Sequence, residues 1–449
     1  MARLPLLGSL LLVVACSASD PRVDAIVLVV VDTLRADHLG SYGYERDTSP
    51  SLDAWSASGR LYERALATSP WTLPSMASLF TGQIPARHAA GEVVREGGAS
   101  NVLMLDASVP TLAEILSEHG FVTGAIVNNV FLAPQFGLHR GFADYDFVWQ
   151  SEETMRRADQ VVRLALRWID LHERERFFLV VHLMDPHMNY DAPEAFRGRF
   201  TQAGTSDKLD YPVHQLWPIR TGRLVLDDSD RAFVTAAYDE EIAFVDQELE
   251  HLRAGLEARD ILRRGLVVLT SDHGEELFDH GGFEHGHALW QEIVRVPLLV
   301  WGAGVRPGRE PAPVSLIDVT PTLLDAAGIA VPDGIEGTSL WPNLTGGDAL
   351  PERMLSVDSP LWGPRRTAAI RWPLKFERVP ELGRQRLVDL AADPGERENL
   401  GPKRPRIRER MRAELEAHLR EARAKRGDTE PARIDPETET LLRSLGYIE

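Results

Sequence analysis

Five short runs of aliphatic residues place the strongest constraint on how this chain can fold. Each run lacks the polar alternation of a half-exposed strand, which is typical of strands buried on both faces of a parallel sheet. The runs are Ala25–Val31, Val122–Val127, Phe177–Leu183, 266–270 and 296–301. We therefore expect a mostly parallel central sheet at the core of the molecule.

Helical patterns fill the intervals between these strands. Thr111 is followed three residues later by Glu114, the capping-box pattern that begins a helix. The segments with helical spacing of apolar residues are 111–118, 152–172 and 229–256. Strands that alternate with helices predict an α/β fold, with helices on both faces of the sheet.

The pattern changes after about residue 345. Three short candidate strands separated by Pro and Gly follow, which predicts a small antiparallel sheet: Thr367–Arg371, Leu374–Val379 and 385–390. Residues 403–426 then carry charges of both signs, with a narrow apolar stripe formed by Ile407, Met411, Leu415 and Leu419. This stripe predicts a surface helix packed by one edge. We assign an α/β domain to residues 24–345 and a C-terminal subdomain with a charged helical tail to residues 346–449.

The first sixteen residues have the features of a secretory signal. Arg3 precedes an apolar run, residues 4–14, that is too short to span a bilayer. Val13-Val14-Ala15-Cys16 is similar to a bacterial lipobox, in which the chain is cut before a cysteine that carries lipid. A plain signal peptide, or a buried thiol in an N-terminal strand, is the alternative. The lipobox predicts an extracytoplasmic protein anchored to a bacterial membrane through Cys16, and Ser17 favours the outer membrane.

Composition excludes several classes of protein. Cys16 is the single cysteine of the chain, so a disulfide within the chain and a cysteine-based zinc site are both impossible. Lys and Arg number 49 against 67 Asp and Glu, and the net charge of −18 argues against a nucleic-acid partner. The sequence does not predict the oligomeric state.

Several residues with metal-binding side chains stand directly after predicted strands. Asp32 follows Ala25–Val31, and Asp272 and His273 follow the strand at 266–270. Ligands gather at the carboxyl ends of parallel strands, so two carboxylates and an imidazole could bind one divalent cation. An Asp in this position is also a common helix cap. Three further histidines follow closely: His280, His285 and His287.

Thr72 stands near the start of a predicted helix. Pro74 favours the first helical turn, which places Thr72 at or just before the N-terminus. The hydroxyl could simply cap the helix. Alternatively, the free backbone N–H groups and the helix dipole could stabilise an alkoxide or a bound anion there.

These segments together resemble the sulfatase family, a branch of the alkaline phosphatase superfamily. The similar segments are residues 26–40, Thr72-Leu73-Pro74-Ser75 with Thr81-Gly82, Met184-Asp185-Pro186-His187, Ser271-Asp272-His273-Gly274-Glu275, Val296-Pro297-Leu298-Leu299 and Asp318-Val319-Thr320-Pro321-Thr322. The resemblance extends from about residue 24 to Leu445-Gly446-Tyr447 and implies an alkaline-phosphatase-like fold.

The resemblance also implies a site. Asp32, Asp272 and His273 would bind one divalent metal ion (Ca, Mn or Zn), and the Thr72 oxygen would complete the coordination. Thr72 would then be the nucleophile. His187 and His287 match positions near the ester oxygens and would act as catalytic groups. We expect His280 and His285 to be surface histidines.

The chain departs from the family pattern at four positions. Thr72 stands where sulfatases carry the Cys or Ser that becomes formylglycine, and threonine cannot form that aldehyde. Met76 replaces an Arg, Thr33 replaces a second metal-binding Asp, and His273 stands where some members carry Asn. Fewer oxygen ligands and one imidazole shift the expected preference from calcium toward manganese or zinc.

The expected function is hydrolysis of phospho- or sulfo-esters, including phosphodiesters, by a lipid-anchored enzyme. The substrate could be a glycan or a lipid, and residues 189–221 are expected to set specificity. One alternative is a transferase that moves a phospho-group to a glycan or lipid acceptor. Another is a non-catalytic protein that keeps the metal-binding scaffold.

Overall fold

The computed structural model describes residues 23–96, 99–148, 155–201, 206–214, 216–347, 349–427 and 429–432. The predicted signal peptide with Cys16 and the motif at residues 445–447 lie outside the described residues. In the described part of the chain, no helix combines the length and the apolar character needed to cross a membrane.

Strands and helices alternate along most of the chain. The strands are β1 (Ala25–Val31), β2 (Arg60–Tyr62), β3 (Ala65–Leu66), β4 (Val93–Glu96), β5 (Ala99–Val102), β6 (Val122–Val127), β7 (Asp144–Phe147), β8 (Phe177–Leu183), β9 (Gly265–Thr270), β10 (Glu276–Leu277), β11 (Phe283–Glu284), β12 (Arg295–Val296), β13 (Leu298–Gly302), β14 (Gly308–Glu310), β15 (Val314–Ser315), β16 (Leu355–Asp358), β17 (Thr367–Arg371), β18 (Leu374–Val379) and β19 (Arg384–Asp389). The α-helices are α1 (Pro50–Ser56), α2 (Thr72–Thr81), α3 (Pro85–His88), α4 (Leu112–Glu118), α5 (Ala158–His172), α6 (Leu216–Arg220), α7 (Asp228–Ala258), α8 (Ile261–Arg264), α9 (Gln291–Val294), α10 (Val319–Ala326), α11 (Trp341–Leu344) and α12 (Pro405–Ala424).

The central sheet has eight strands in the order β14-β2-β13-β9-β1-β8-β6-β7. Strand β13 runs antiparallel to both of its neighbours, and the remaining pairings are parallel. This confirms the predicted α/β class with a mostly parallel sheet. The predicted strand at 296–301 is divided at Pro297, because proline has no N–H to donate to a strand ladder. Val296 therefore pairs with β3, whereas β13 enters the central sheet.

The sheet is covered on both faces, as predicted. Alternate side chains of β1 point in opposite directions. Ile26, Leu28 and Val30 belong to a hydrophobic cluster with residues of α2, α4 and α10. Val27 and Val29 belong to a second cluster, with residues of α5 and α7. Every residue of β1 is buried, which explains its unbroken run of aliphatic residues.

Hydrogen bonds from side chains hold the first residues of α4 and α5 in place. Thr111 caps α4 with the predicted capping box, since its hydroxyl accepts from Glu114 N at 3.1 Å and the Glu114 carboxylate accepts from Thr111 N at 2.8 Å. Helix α5 begins at Ala158, and residues 152–154 of the predicted helical segment lie outside the described residues. Its first N–H donates to the Asp185 carboxylate at 2.8 Å, which fixes the loop after β8 against the helix.

The C-terminal part forms a four-stranded antiparallel sheet in the order β16-β17-β18-β19. Helix α12 packs on it through Met411, Leu415 and Leu419, which share a cluster with Phe376 and Leu387. The predicted sheet and its docked helix are confirmed, with one more strand, β16, than the sequence pattern indicated.

A buried ion pair joins this small sheet to the rest of the molecule. The Lys375 ammonium lies 2.7 Å from Glu396 Oε1, and both side chains are 1% exposed. Lys375 also donates to the Leu289 carbonyl, and Glu396 Oε1 accepts from Gln291 N at 2.8 Å. The ion pair therefore fixes the backbone at the start of α9.

Candidate active site

Four adjacent parallel strands of the central sheet bring polar residues to one edge. Strand β9 is followed by Asp272 and His273, β1 by Asp32, β8 by the loop that carries His187, and β6 by Asn129. The parallel register aligns Val31 of β1 with Leu183 of β8, so these strands end at the same level. The rule that ligands gather at the carboxyl ends of such strands therefore identifies this edge as the candidate site.

Three of the predicted metal ligands form one cluster. One ligand atom from each of Asp32, Asp272 and His273 lies within 4.8 Å of the others, and all three residues are buried. His273 Nε2 is 3.3 Å from Asp272 Oδ2 and 3.8 Å from Asp32 Oδ1. Neither of these carboxylate oxygens has a hydrogen-bond partner among the described residues, although both are buried.

This donor set fits a divalent cation. Buried carboxylate oxygens without partners carry a large desolvation penalty, which a bound cation removes. His273 Nδ1 lies 2.9 Å from the Gly274 carbonyl, which requires the proton on Nδ1 and leaves the Nε2 lone pair directed at the carboxylates. Two oxygens and one imidazole nitrogen suit manganese or zinc.

The two carboxylates differ in their electrostatic surroundings. Burial and the neighbouring Asp32 raise the pKa of Asp272 to about 6. Burial acts in the same direction on Asp32, but His187, His182 and His273 together hold the pKa of Asp32 below its usual range. Asp32 is therefore the more readily ionised of the two carboxyls.

Thr72 is the first residue of α2, and its hydroxyl does not cap the helix. Trp71 occupies the capping position without a side-chain hydrogen bond. The Thr72 hydroxyl instead lies 3.4 Å from His273 Nε2 and accepts from Asn129 Nδ2 at 3.2 Å. The side chain is 2% exposed, so the oxygen is directed into the cluster rather than into solvent.

Asn129 and His182 belong to the site although the sequence analysis did not select them. The Asn129 amide donates to Asp32 Oδ2 at 2.7 Å as well as to Thr72, and thereby links the carboxylate to the hydroxyl. His182 Nε2 lies 3.4 Å from Asp32 Oδ2. The position of Asn129 after β6 is the same signal that identified Asp32, whereas a single His inside an apolar strand gives no such signal.

The histidines of the site differ from expectation in one respect. His285 was expected on the surface, but it is buried at 3% exposure because its ring packs against those of His273 and His187, with centroids 4.5 and 5.2 Å apart. Glu275 Oε1 lies 3.1 Å from His285 Nδ1 and orients the ring. His280 is partly exposed and stacks on Trp290.

The two histidines predicted as catalytic occupy different surroundings. His187 is buried, and its Nε2 has no hydrogen-bond partner within the described ranges. Burial lowers the pKa of His187, and the charge of Asp32 opposes that shift. His287 Nε2 is bound to Glu276 Oε2 at 2.7 Å, and the side chain is 29% exposed. His285, rather than His287, contacts the His273 ring.

The departures from the family pattern have structural explanations. Met76 is buried in the hydrophobic cluster beneath α2 and contributes no charge to the site. Thr33 has a left-handed backbone with φ of 56°, and its N–H points at Asp272 Oδ1, 3.4 Å away. Tyr238 holds this conformation by donating to the Thr33 carbonyl at 2.8 Å. Thr33 thus orients Asp272 through its backbone.

A cavity of about 400 Å³ opens beside His187. Three residues of the segment expected to set specificity, Asn189, Asp191 and His214, line it. Its other lining residues are Met155, Arg157, Asp185 and Glu241. The cavity is therefore bordered by His187 and by the loop that follows β8.

Comparisons with known proteins identify the family of the chain. The profile of the family described as Sulfatase matches residues 24–329. A Delta 4,5-hexuronate-2-O-sulfatase of Bacteroides thetaiotaomicron is 23% identical, over 92% of this chain and 93% of that protein. A choline-sulfatase of Rhizobium meliloti is 26% identical, over 84% and 82% respectively.

A solved structure has the same fold. The phosphonate monoester hydrolase of Agrobacterium radiobacter superimposes with a TM-score of 0.70 at 19% identity, over 89% of this chain and 96% of that one. The profile covers more than half of the sequence and includes the cluster of Asp32, Thr72, Asp272 and His273. The chain belongs to the sulfatase family of the alkaline phosphatase superfamily and is a hydrolase of ester bonds.

Proposed function

We propose that the protein is a metal-dependent hydrolase of sulfo- or phospho-esters in which Thr72 is the nucleophile. One observation carries this proposal. The Thr72 hydroxyl lies within 3.4 Å of His273 Nε2, in a cluster with two buried carboxylate oxygens that have no partner in the described structure. A threonine that only capped a helix would direct its oxygen at the backbone of α2 instead.

Asp32, Asp272 and His273 would hold the divalent cation, with the Thr72 oxygen as a further ligand. A bound cation lowers the pKa of a coordinated hydroxyl and offsets negative charge on the ester. Asn129 supports the same arrangement, because one amide group fixes both Asp32 and Thr72.

The remaining chemistry falls to side chains of the chain itself. The Thr72 oxygen would attack phosphorus or sulfur in line with the leaving oxygen, so that an ester bond to Thr72 forms while the bond to the leaving oxygen of the alcohol breaks. His187 Nδ1 lies 3.0 Å from the Met188 carbonyl and therefore carries the ring proton, so Nε2, which has no partner in the described structure, would accept the Thr72 proton and then pass it to the leaving oxygen. Water then cleaves the ester on Thr72.

A substrate comparison tests this proposal. The full chain, loaded with manganese or zinc, is assayed with a chromogenic sulfate monoester, phosphate monoester and phosphodiester. We expect Thr72→Ala to lower kcat/KM for the preferred ester by at least about 1,000-fold. Thr72→Ser, which keeps the hydroxyl, should retain part of the activity. Equal turnover by wild type and Thr72→Ala would refute Thr72 as nucleophile.

We also propose that the enzyme acts outside the cytoplasm and is held at a bacterial membrane through lipid on Cys16. The support is the lipobox-like run before Cys16. Radiolabelled palmitate should label the wild type in the native host but not the Cys16→Ser variant. Equal labelling of both would refute the anchor.

A further inference from the structure

The cavity beside His187 has an unusual charge balance. Three carboxyl residues line it, and Arg157 is the one lysine or arginine among its lining residues. The Arg157 guanidinium is already paired with Asp191 at 2.7 Å, and Asp191 also pairs with Arg197 at 2.6 Å. Asp191 is therefore neutralised by protein groups. Asp185 and Glu241 form no ion pair among the described residues, although the charge of Arg157 acts on both.

Glu241 provides the observation that points to a ligand. This residue of α7 is 3% exposed. Its Oε1 accepts from Asp191 N at 2.5 Å, whereas Oε2 is buried and has no hydrogen-bond partner in the part of the chain that the structure describes. A buried acid with one unsatisfied oxygen is costly to keep unless a donor reaches it. His187 Nε2, at another side of the same cavity, is likewise unsatisfied.

The pKa values of both acids are raised. Burial and the nearby Asp185 raise the pKa of Glu241 well above its ordinary value, and burial raises the pKa of Asp185 to about 6. The charge of Arg157 lowers both pKa values but does not offset the effect of burial. A cationic group placed between the two carboxyls would offset their repulsion and supply the missing donor.

We propose that this cavity binds an ammonium group on the alcohol part of the substrate. The inference rests on the proposed function: His187, which lines the cavity, would protonate the leaving oxygen, so the alcohol part of the substrate is the part that faces the cavity. An ammonium group brings three donors and one positive charge, which match Glu241 Oε2 and the Asp185 carboxylate. The substrate is then an ester of an amino sugar or of an amino alcohol.

Binding of the alcohol part alone tests this inference without turnover. Isothermal titration calorimetry on the full chain at pH 7 would compare glucosamine and ethanolamine with glucose and glucuronate. We expect at least one amine to bind about tenfold more tightly than glucose, and glucuronate to bind most weakly. Preference for glucosamine would identify an amino sugar, and preference for ethanolamine an amino alcohol.

Glu241→Gln is nearly isosteric and should reduce amine affinity to about that of glucose. Glu250→Gln removes the same charge from an exposed position of α7, where Glu250 pairs with Arg253, and should leave affinity unchanged. Thermal unfolding checks that both variants are folded. Equal affinity for glucose and the amines, tighter binding of glucuronate, no measurable amine binding, or equal effects of the two variants would overturn the inference.

The calorimetry also separates this inference from the proposed function. Thr72→Ala should bind the preferred amine with wild-type affinity, because Thr72 does not line the cavity. Amine binding without ester turnover would leave the ammonium site intact and refute the hydrolase mechanism. Ester turnover without a preference for amines would support the hydrolase mechanism and refute the ammonium site.

Discussion

Two buried carboxylate clusters in this molecule differ in how completely their oxygens are satisfied. In the first, Asp239 is 0% exposed and both of its oxygens are occupied. Oδ1 lies 2.6 Å from His38 Nδ1, and Oδ2 accepts from Tyr44 Oη and Arg46 Nη1, each at 2.7 Å. The protein thus supplies every partner that this buried charge requires.

In the second cluster, Asp32 and Asp272 each leave one buried oxygen without a partner in the described structure. Both residues are 0% exposed, as Asp239 is, so burial alone does not separate the two clusters. The difference is that every oxygen of the first has a protein partner, whereas the second leaves two oxygens for the metal ion that we propose. Two unsatisfied carboxylate oxygens beside one imidazole, and not buried charge as such, distinguish the second cluster from the first.

The variant expected to show the largest difference between the two clusters is Asp272→Asn. Oδ1 accepts from His273 N at 3.0 Å, and asparagine can keep this bond while it loses the charge. Because a metal ligand is removed, we expect metal affinity to fall by at least about 100-fold, with activity falling in parallel. The metal-free variant should unfold with at least the wild-type free energy, since repulsion from Asp32 is relieved. Metal titration and urea unfolding measure the two effects, and wild-type metal affinity would contradict the assignment.

The second-largest effect is expected from removal of the metal, which should lower stability through the Asp32 and Asp272 cluster and leave the Asp239 cluster intact. A chelator should lower the wild-type free energy of unfolding by about 3 to 4 kcal/mol, if the metal had been present at 100 to 1,000 times its Kd. Thermal unfolding with and without chelator measures this loss. Asp272→Asn should show little change under the same treatment. A wild-type protein that unfolds identically in both conditions would refute the metal site.

Asp239→Asn should give the opposite pattern to Asp272→Asn. Breaking the ion pair with Arg46 and the contact with His38 should lower the free energy of unfolding by about 3 kcal/mol. Activity per folded molecule and metal affinity should stay near the wild-type values. A large loss of metal affinity would show that the Asp239 cluster is not purely structural.

A smaller and pH-dependent effect is expected at His88, another fully satisfied buried group. Its Nδ1 accepts from Ala90 N at 3.1 Å, its Nε2 lies 2.9 Å from Ser78 Oγ, and burial lowers the pKa of His88 to about 3. The unfolded chain takes up this proton below pH 6.5 while the folded protein does not. The contribution of His88 to stability is therefore present above pH 6.5 and is lost as the pH falls toward 3.

The measurement is the difference in unfolding free energy between wild type and His88→Gln. We expect the wild-type advantage to shrink by about 2 kcal/mol between pH 7 and pH 5. A difference that is constant across this range would mean that His88 has the same pKa in the folded and unfolded protein and would contradict the prediction.

Much of the fold could be predicted because its signals are local. The unbroken aliphatic run of β1 predicts burial on both faces, and Thr111 with Glu114 predicts the start of α4. The orientation of β13 could not be predicted, because an apolar run does not show the direction of its strand or its neighbours.

Some residues of the site could likewise be predicted from local sequence patterns, and others could not. Asp32, Asp272 and His273 could be selected because each follows a strong strand pattern. The burial of His285 depends on its contact with Glu275 across the β10-β11 hairpin, whose two-residue strands are too short to show any periodicity. The cavity at Glu241 requires α7 and the loop after β8 to meet in space, which the sequence does not show.

The ion pair between Lys375 and Glu396 has a consequence for how the chain can be divided. Glu396 receives the backbone of Gln291, and Lys375 reaches the carbonyl of Leu289, just after the segment that carries His285 and His287. A protein cut near residue 345 would remove the partners of both backbone groups and would expose one face of α9. The small sheet thus packs against the catalytic domain and completes its hydrogen bonds. We therefore expect the enzyme to unfold in a single cooperative transition.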